Sequence, residues 1–146
     1  MRMAVDLAHQ NRLQGGRPFG ALLAQDGVVV STGVNDIAKT CDPSTHAEMQ
    51  AIRTATQQRQ NASLAGMSIY ASGHPCPMCL ALLISANANK VFFAFDNDDA
   101  QPYQLSSEGT YQRLGITLKP LPLPIERVET GITAAQLYGD AAWPAA

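Results

Sequence analysis

The sequence predicts an α/β fold in which a mixed β-sheet is flanked by helices on both faces. Two short β-rich segments open the pattern, and strands then alternate with helices, an order that favours parallel pairing after an initial hairpin. Of the 146 residues, 46% are hydrophobic and 15% are charged, which is typical of a compact domain. We therefore expect a single domain spanning residues 1–146.

The N-terminal part of the chain predicts a helix followed by a hairpin. Apolar residues recur at helical spacing until a Gly-Gly-Arg-Pro run, so the helix should end near Gln14. Two β-rich segments, residues 19–25 and 28–34, are separated by Asp26-Gly27, a dipeptide favoured in two-residue hairpin turns. These segments should form an antiparallel pair.

The rest of the chain predicts the alternating elements. Residues 35–44 lack periodicity and indicate a loop, and Ser44 or Thr45 is a plausible cap for the helix that follows. The remaining elements are a helix over 45–60, a strand over 67–72, a helix through Leu80, Leu83 and Ile84, a strand over 90–95, a helix over 103–114, a strand over 115–118, and a last helix over 133–142 after a Pro-rich link.

Charge and composition narrow the classes of function. The net charge of -2 and pI near 5.8 give no global attraction to nucleic acid or anionic membranes. The apolar runs are too short to span a bilayer, and the N-terminus lacks the features of a secretory signal. Three cysteines are too few for a disulfide framework. We expect a soluble, cytoplasmic protein.

Two short motifs carry the residues of a zinc site. A catalytic zinc is held by three nitrogen or sulfur ligands and keeps one position open, and His46, Cys76 and Cys79 supply that number. The two cysteines are spaced one helical turn apart at a predicted helix start, where the positive end of the helix favours thiolates. A Cys-x-x-Cys pair alone is equally compatible with a redox dithiol.

The motifs resemble those of the cytidine and deoxycytidylate deaminase superfamily, particularly its guanine deaminase and tRNA adenosine deaminase branch. Residues 42–48, DPSTHAE, look like the DPTAHAE run of that branch, and residues 74–79, HPCPMC, look like its EPCPMC. The likeness extends from the PFGA run at 18–21 to Phe95. It implies a five-stranded, three-layer cytidine deaminase-like fold, one Zn²⁺ per subunit and a homodimer.

The resemblance also implies roles for site residues. Glu48 would be the catalytic proton carrier, with a solvated helix glutamate as the alternative. Asn35 would hydrogen-bond the base and Phe19 would line the pocket, although a strand-end asparagine and a core phenylalanine remain possible. His74 replaces the usual glutamate, and we expect it to be a pocket residue rather than a ligand. Cys41 is expected to be a free loop thiol.

The substrate is predicted from the acidic segment after Phe95 and from the scarcity of basic residues near the C-terminus. Asp96 or Asp99 would accept hydrogen bonds from a guanine-like base, or would lie in a solvated turn. Tyr138 and Trp143 could cover the pocket or pack on the sheet. We expect deamination of a free purine base or related amino heterocycle, without nucleic acid. The alternatives are a tRNA adenosine deaminase, a cytosine or cytidine deaminase, or a structural zinc module with a fourth ligand.

Overall fold

The computed structural model describes residues 1–145 and shows a five-stranded mixed sheet between two layers of helices. The predicted domain also includes Ala146, which lies outside the described residues. The strand order is β2-β1-β3-β4-β5. The strands are β1 Gly20–Gln25, β2 Val28–Val34, β3 Ser68–Gly73, β4 Lys90–Phe95 and β5 Ile125–Arg127. The helices are α1 Arg2–Leu13, α2 Ile37–Thr40, α3 Ala47–Arg59, α4 Pro77–Ser85, α5 Asn97–Ala100, α6 Glu108–Leu114 and α7 Ala134–Leu137.

The hairpin and the three central strands confirm the predicted mixed sheet. Strand β1 pairs antiparallel with both β2 and β3, whereas β3–β4 and β4–β5 are parallel pairs. Asp26 and Gly27 both have positive φ, as a hairpin turn of this kind requires. The parallel strands β3 and β4 therefore end at the same edge of the sheet, where the loops leading to α4 and α5 begin.

Two hydrophobic clusters fill the spaces above and below the sheet. The larger lies between the sheet and α3 and α4, and the smaller lies beneath α1 and α7 on the opposite face. Close packing of α3 on β2 depends on Gly33, because a Cβ there would collide with the Ala47 carbonyl and the Ala51 amide. This contact fixes the start of α3 against the sheet.

Several predicted elements differ from the structure. The predicted loop over 35–44 contains α2, and neither Ser44 nor Thr45 caps α3, because His46 is its N-cap residue. Of the predicted helix over 103–114, only Glu108–Leu114 is α-helical. Gln104 adopts the left-handed conformation, which a continuous right-handed helix cannot contain. The last helix covers only Ala134–Leu137 of the predicted 133–142.

The fifth strand lies in the segment predicted to be a Pro-rich link. Residues 115–118 form no strand, and residues 125–127 pair with β4 instead. The Pro124 carbonyl accepts a hydrogen bond from Val91 N–H at 2.9 Å, and Val128 N–H donates to the Phe93 carbonyl at 2.8 Å. Pairing with the edge of β4 thus determines which residues become extended. None of the helices in residues 1–145 is long and apolar enough to cross a membrane.

Candidate metal centre and active site

The three predicted zinc ligands meet at the beginnings of two helices. His46 is the N-cap residue of α3, and Cys76 is the N-cap residue of α4, where Pro77 occupies the first turn. Cys79 follows one turn later on α4 and is buried. Their nitrogen and sulfur atoms all lie within 4.8 Å of one another, and this is the group in residues 1–145 with the spacing of a metal site.

The distances between these atoms suit tetrahedral zinc. His46 Nδ1 lies 3.5 Å from Cys76 Sγ and 3.7 Å from Cys79 Sγ. Zinc–nitrogen bonds of about 2.0 Å and zinc–sulfur bonds of about 2.3 Å, at tetrahedral angles, would separate nitrogen from sulfur by about 3.5 Å. The donor set is therefore already spaced to hold one Zn²⁺.

The thiol pKa values indicate how the cysteines are prepared for a cation. The hydrogen bond from the neighbouring Cys79 thiol, together with His46, lowers the pKa of Cys76 to about 4. The pKa of Cys79 is raised instead, because its thiol donates a hydrogen bond to Cys76 and because the side chain is buried. A bound cation would stabilise both sulfurs as thiolates.

Glu48 lies beside the ligands and is not one of them. It is in the first turn of α3, is 8% exposed, and its Oε2 atom accepts from the Cys79 thiol at 3.7 Å. Burial raises the pKa of this carboxyl to about 6. A carboxyl with a pKa near neutrality can both take up and release a proton at physiological pH, which is the property a proton carrier needs.

Two aromatic side chains hold the backbone just before Cys76. The Tyr111 hydroxyl donates to the Pro75 carbonyl at 2.6 Å, and His74 Nδ1 donates to the same oxygen at 3.0 Å. His74 packs edge-on against Phe93 and Tyr111, and its burial lowers its pKa. The structure thus gives His74 a backbone contact beside the site.

The centre opens into a cleft of about 360 Å³, within the range of about 300 to 1,000 Å³ that small-molecule sites occupy. Asn35, Phe19 and His74 all line this cleft. Asn35 is 3% exposed, and its Oδ1 atom accepts from Ile37 N–H at 3.2 Å. The Nδ2 group of Asn35 is therefore the one available to donate to a ligand.

The structure does not bring Asp96 and Asp99 into the cleft. Each accepts a hydrogen bond from the other's backbone N–H in a capping box at the start of α5. Arg127 lies 2.7 Å from the Asp96 carboxylate and 3.0 Å from that of Asp99. Burial opposes ionisation of Asp96, but the Asp99 N–H and Arg127 outweigh it and lower its pKa. These carboxylates stabilise the connection between β4 and β5.

The remaining candidates lie away from the metal centre. Cys41 is exposed and is not part of the ligand group, and His74 is not part of it either. The fourth ligand that a structural zinc module requires is therefore not present within residues 1–145. Tyr138 packs against Phe19 and Phe95 behind the cleft, and Trp143 stacks on a histidine of α1 at 3.7 Å between ring centroids.

Sequence reasoning missed several residues of the cleft. Three of them have hydroxyl side chains, and one is an exposed arginine. The hydroxyl residues were missed because a helix was predicted over 103–114. A continuous helix would have placed only some of them beside the site. The Gly-Gly-Arg-Pro run, in contrast, can be recognised as a loop from the sequence, and a charged residue in a loop is a candidate for ligand binding. The missed residues are Arg17, Pro43, Ala47, Pro77, Met78, Leu105, Ser106, Ser107 and Thr110.

Comparisons with known proteins agree with this arrangement. The model of the cytidine and deoxycytidylate deaminase zinc-binding region matches residues 1–95. Guanine deaminase from Bacillus subtilis is 32% identical over 129 residues, which are 88% of this chain and 83% of that protein. Its crystal structure matches with a TM-score of 0.75 over the same shares of the two chains.

Two further relatives show how far the likeness extends. A tRNA-specific adenosine deaminase from Aquifex aeolicus is 31% identical over 94 residues, which are 64% of this chain and 62% of that protein. Guanine deaminase from Nitrosomonas europaea shares the fold, with a TM-score of 0.71 at 18% identity over 86% of this chain and 73% of the other. The matched region contains both motifs of the metal centre, and the chain belongs to the cytidine and deoxycytidylate deaminase family of zinc-dependent hydrolytic deaminases.

Proposed function

We propose that this deaminase removes the exocyclic amine of a free purine base of the guanine type, with release of ammonia. The observation that carries the proposal is a buried carboxyl, Glu48, beside a three-ligand metal centre at the base of a cleft large enough for a bicyclic heterocycle. His46, Cys76 and Cys79 would hold the zinc. The bound metal would supply Lewis-acid activation of water near neutral pH.

Glu48 would act in two proton transfers. Hydrolytic deamination requires removal of a proton from the attacking water and delivery of a proton to the departing amine. One carboxyl can perform both if it faces the water position and the amine in turn. Its position next to Cys79 and its raised pKa of about 6 support this role.

Asn35 and Phe19 would orient the base. The Asn35 Nδ2 group can donate to a ring nitrogen or carbonyl oxygen, and the Phe19 ring offers an apolar surface for the heterocycle. Because the Asn35 carbonyl is tied to α1, its side chain enters the cleft from a fixed position. A rigid donor next to the metal would select one orientation of the base, with its amine toward Glu48.

A free base is favoured over tRNA by similarity and by charge. The guanine deaminase of Bacillus subtilis matches across 88% of this chain, whereas the tRNA-specific relative matches 64%. Arg17 is the one Lys or Arg among the cleft's lining residues. A site for folded RNA usually places several basic side chains around the pocket.

A substrate panel read by ammonia release tests the proposal. It contains guanine, adenine, cytosine, cytidine and a tRNA anticodon stem-loop, each with the zinc-loaded protein. We expect guanine to have the highest kcat/KM. Turnover of the RNA alone, or of the pyrimidines alone, would contradict the proposed substrate class.

Glu48→Gln tests the proposed proton carrier. We expect the variant to retain zinc and to lose turnover by about 10²- to 10⁴-fold, the usual contribution of general acid–base catalysis. Glu129→Gln is the control, because the Glu129 side chain is 82% exposed and lies outside the cleft. Retention of most of the activity in Glu48→Gln would remove the residue from the mechanism.

We also propose that the protein is cytoplasmic and that it forms a homodimer, since the resemblance implied a homodimer or larger assembly. Sedimentation velocity of the zinc-loaded protein would measure the assembly, and a monomer at micromolar concentration would contradict it. Fractionation of cells that express the chain would test its compartment.

A further inference from the structure

The cleft lining carries a positive charge that no carboxylate within residues 1–145 neutralises in an ion pair. Arg17 lies in the turn between α1 and β1, lines the cleft and is exposed. None of the ion pairs within residues 1–145 involves Arg17. An arginine in this position has donors available for a ligand.

The backbone of Arg17 is held in place by a buried amide. Its carbonyl accepts from Asn11 Nδ2 at 2.7 Å and from Phe19 N–H at 2.8 Å. Asn11 is 2% exposed, and the same Nδ2 group donates to the Asn35 carbonyl at 2.9 Å. A Cβ at Gly16 would lie 2.5 Å from Asn11 Nδ2, so the turn packs tightly around this contact. Asn11 therefore positions Arg17 and Asn35 together.

The side chains around Arg17 make the cleft rich in donors and poor in carboxylates. Asn35 offers its Nδ2 group, and Ser106 Oγ accepts from Glu108 N–H at 3.1 Å, which leaves its proton free to donate. Among the lining residues that the structure describes, Glu48 is the one carboxylate, and it belongs to the metal centre. A cleft of this kind recognises hydrogen-bond acceptors on its ligand.

We propose that Arg17 determines specificity by binding the O6 and N7 acceptors of a guanine-type base. This inference rests on the proposed function. When the C2 amine of guanine points toward the metal centre, O6 and N7 lie on the opposite side of the ring system and face other residues of the cleft lining, among which Arg17 is the one arginine. A guanidinium group matches these two acceptors with paired N–H donors, which is the commonest specific contact between proteins and guanine. Adenine with its reacting amine at the metal presents no such oxo group.

A phosphate-bearing substrate fits the cleft less well. Tight phosphate sites usually combine several cationic side chains or a free helix N-terminus with the anion, whereas the two helix N-termini at this cleft, those of α3 and α4, carry the metal ligands. Arg17 is accompanied at the cleft by neutral donors, Asn35 and Ser106, rather than by a second arginine or a lysine. Neutral donors around one arginine are better matched to a neutral heterocycle.

The experiment compares Arg17→Met with the matched control Arg113→Met, which removes an exposed arginine that does not line the cleft. Both zinc-loaded variants are assayed by kcat/KM with guanine and with 2-aminopurine, which lacks O6. Arg17→Met should lower kcat/KM for guanine by about 5- to 100-fold, the discrimination typical of such a pair. Its value for 2-aminopurine, which keeps N7 and lacks O6, should fall by a smaller factor, and both values for Arg113→Met should change by less than about 3-fold.

Three results would overturn the inference. Equal losses with guanine and 2-aminopurine would show that Arg17 does not recognise O6. An unchanged guanine rate together with loss of turnover of guanosine 5′-monophosphate would assign Arg17 to a phosphate. Absence of guanine turnover in the unmodified protein would instead remove the proposed function and this inference with it.

Discussion

Asn11→Ala tests whether one buried amide holds the two loops of the cleft. The substitution removes the hydrogen bonds from Nδ2 to the Arg17 carbonyl at 2.7 Å and to the Asn35 carbonyl at 2.9 Å. The first carbonyl keeps a second donor, Phe19 N–H, whereas the second has no other recorded donor within the described chain. Loss of the hydrogen bond to the Asn35 carbonyl should therefore cost more free energy than loss of the one to the Arg17 carbonyl.

The expected change in the free energy of unfolding follows from these contacts. Loss of one of two hydrogen bonds at Arg17 costs about 1 kcal/mol, and leaving the buried Asn35 carbonyl without a donor costs about 1–3 kcal/mol. We expect the free energy of unfolding to fall by about 2–4 kcal/mol. A domain with a typical stability of about 5–15 kcal/mol remains folded after such a loss, so its kinetics stay measurable.

Urea unfolding and steady-state kinetics measure the two consequences. KM should rise, because Arg17 and Asn35 both line the cleft and lose their common support. Gln10→Ala is the matched control, since Gln10 is an exposed residue of α1 and should change stability by no more than about 0.5 kcal/mol. If Asn11→Ala is as stable as Gln10→Ala, the reasoning is refuted; if stability falls and KM does not change, Asn11 supports the fold alone.

Three other substitutions test the metal centre, the packing of α3 and the acidic cap. Cys79→Ala should lose bound zinc as measured by mass spectrometry, whereas Cys41→Ser should retain it, since Cys41 lies outside the ligand group; equal metal contents would contradict the assignment. Gly33→Ala should lower the free energy of unfolding by about 1–3 kcal/mol because its Cβ meets the backbone of α3, and Gly109→Ala, with open space around it, should not. The lowered pKa of Asp96 stabilises the fold above the ordinary carboxyl pKa of about 3.9, and this contribution is lost as the pH falls below it. Because the side chain is 37% exposed, the loss should stay below about 1 kcal/mol, and Asp96→Asn should flatten the stability curve on the acid side; a variant curve parallel to the unmodified one would contradict this.

Local patterns predicted the elements that depend on local chemistry. The hairpin was found from its Asp26-Gly27 turn, and the bounds of β4 follow from a short apolar run between polar residues. The helices α1 and α3 were placed to within about two residues, the usual uncertainty at helix ends. In each case the turn, the break or the periodicity lies within the segment itself.

Pairing between distant segments decided the elements that sequence reasoning missed. Residues 115–118 and 125–127 both contain β-forming residues, and only contact with the edge of β4 selects the second. The left-handed conformation of Gln104 similarly interrupts the helix before α6, and the hydroxyl residues that follow it line the cleft. No local signal distinguishes these outcomes.

The sequence by itself determined the chemistry of the metal centre. Zinc requires particular ligand types, and the sequence contains them. Cys76 and Cys79 are three residues apart, and a histidine and a glutamate are two residues apart; both spacings are properties of the chain before it folds. Bringing the two motifs together required only that two helices begin at neighbouring positions of the sheet.

Tertiary structure alone decided what surrounds that centre. Asp96 and Asp99 resembled substrate ligands in the sequence, but Arg127 of a distant strand engages both. Arg17 stands at the rim because a buried asparagine of α1 anchors its turn. Side chains at a cleft are selected by long-range contacts that orient loops, and such contacts depend on which segments pack together rather than on their own residues.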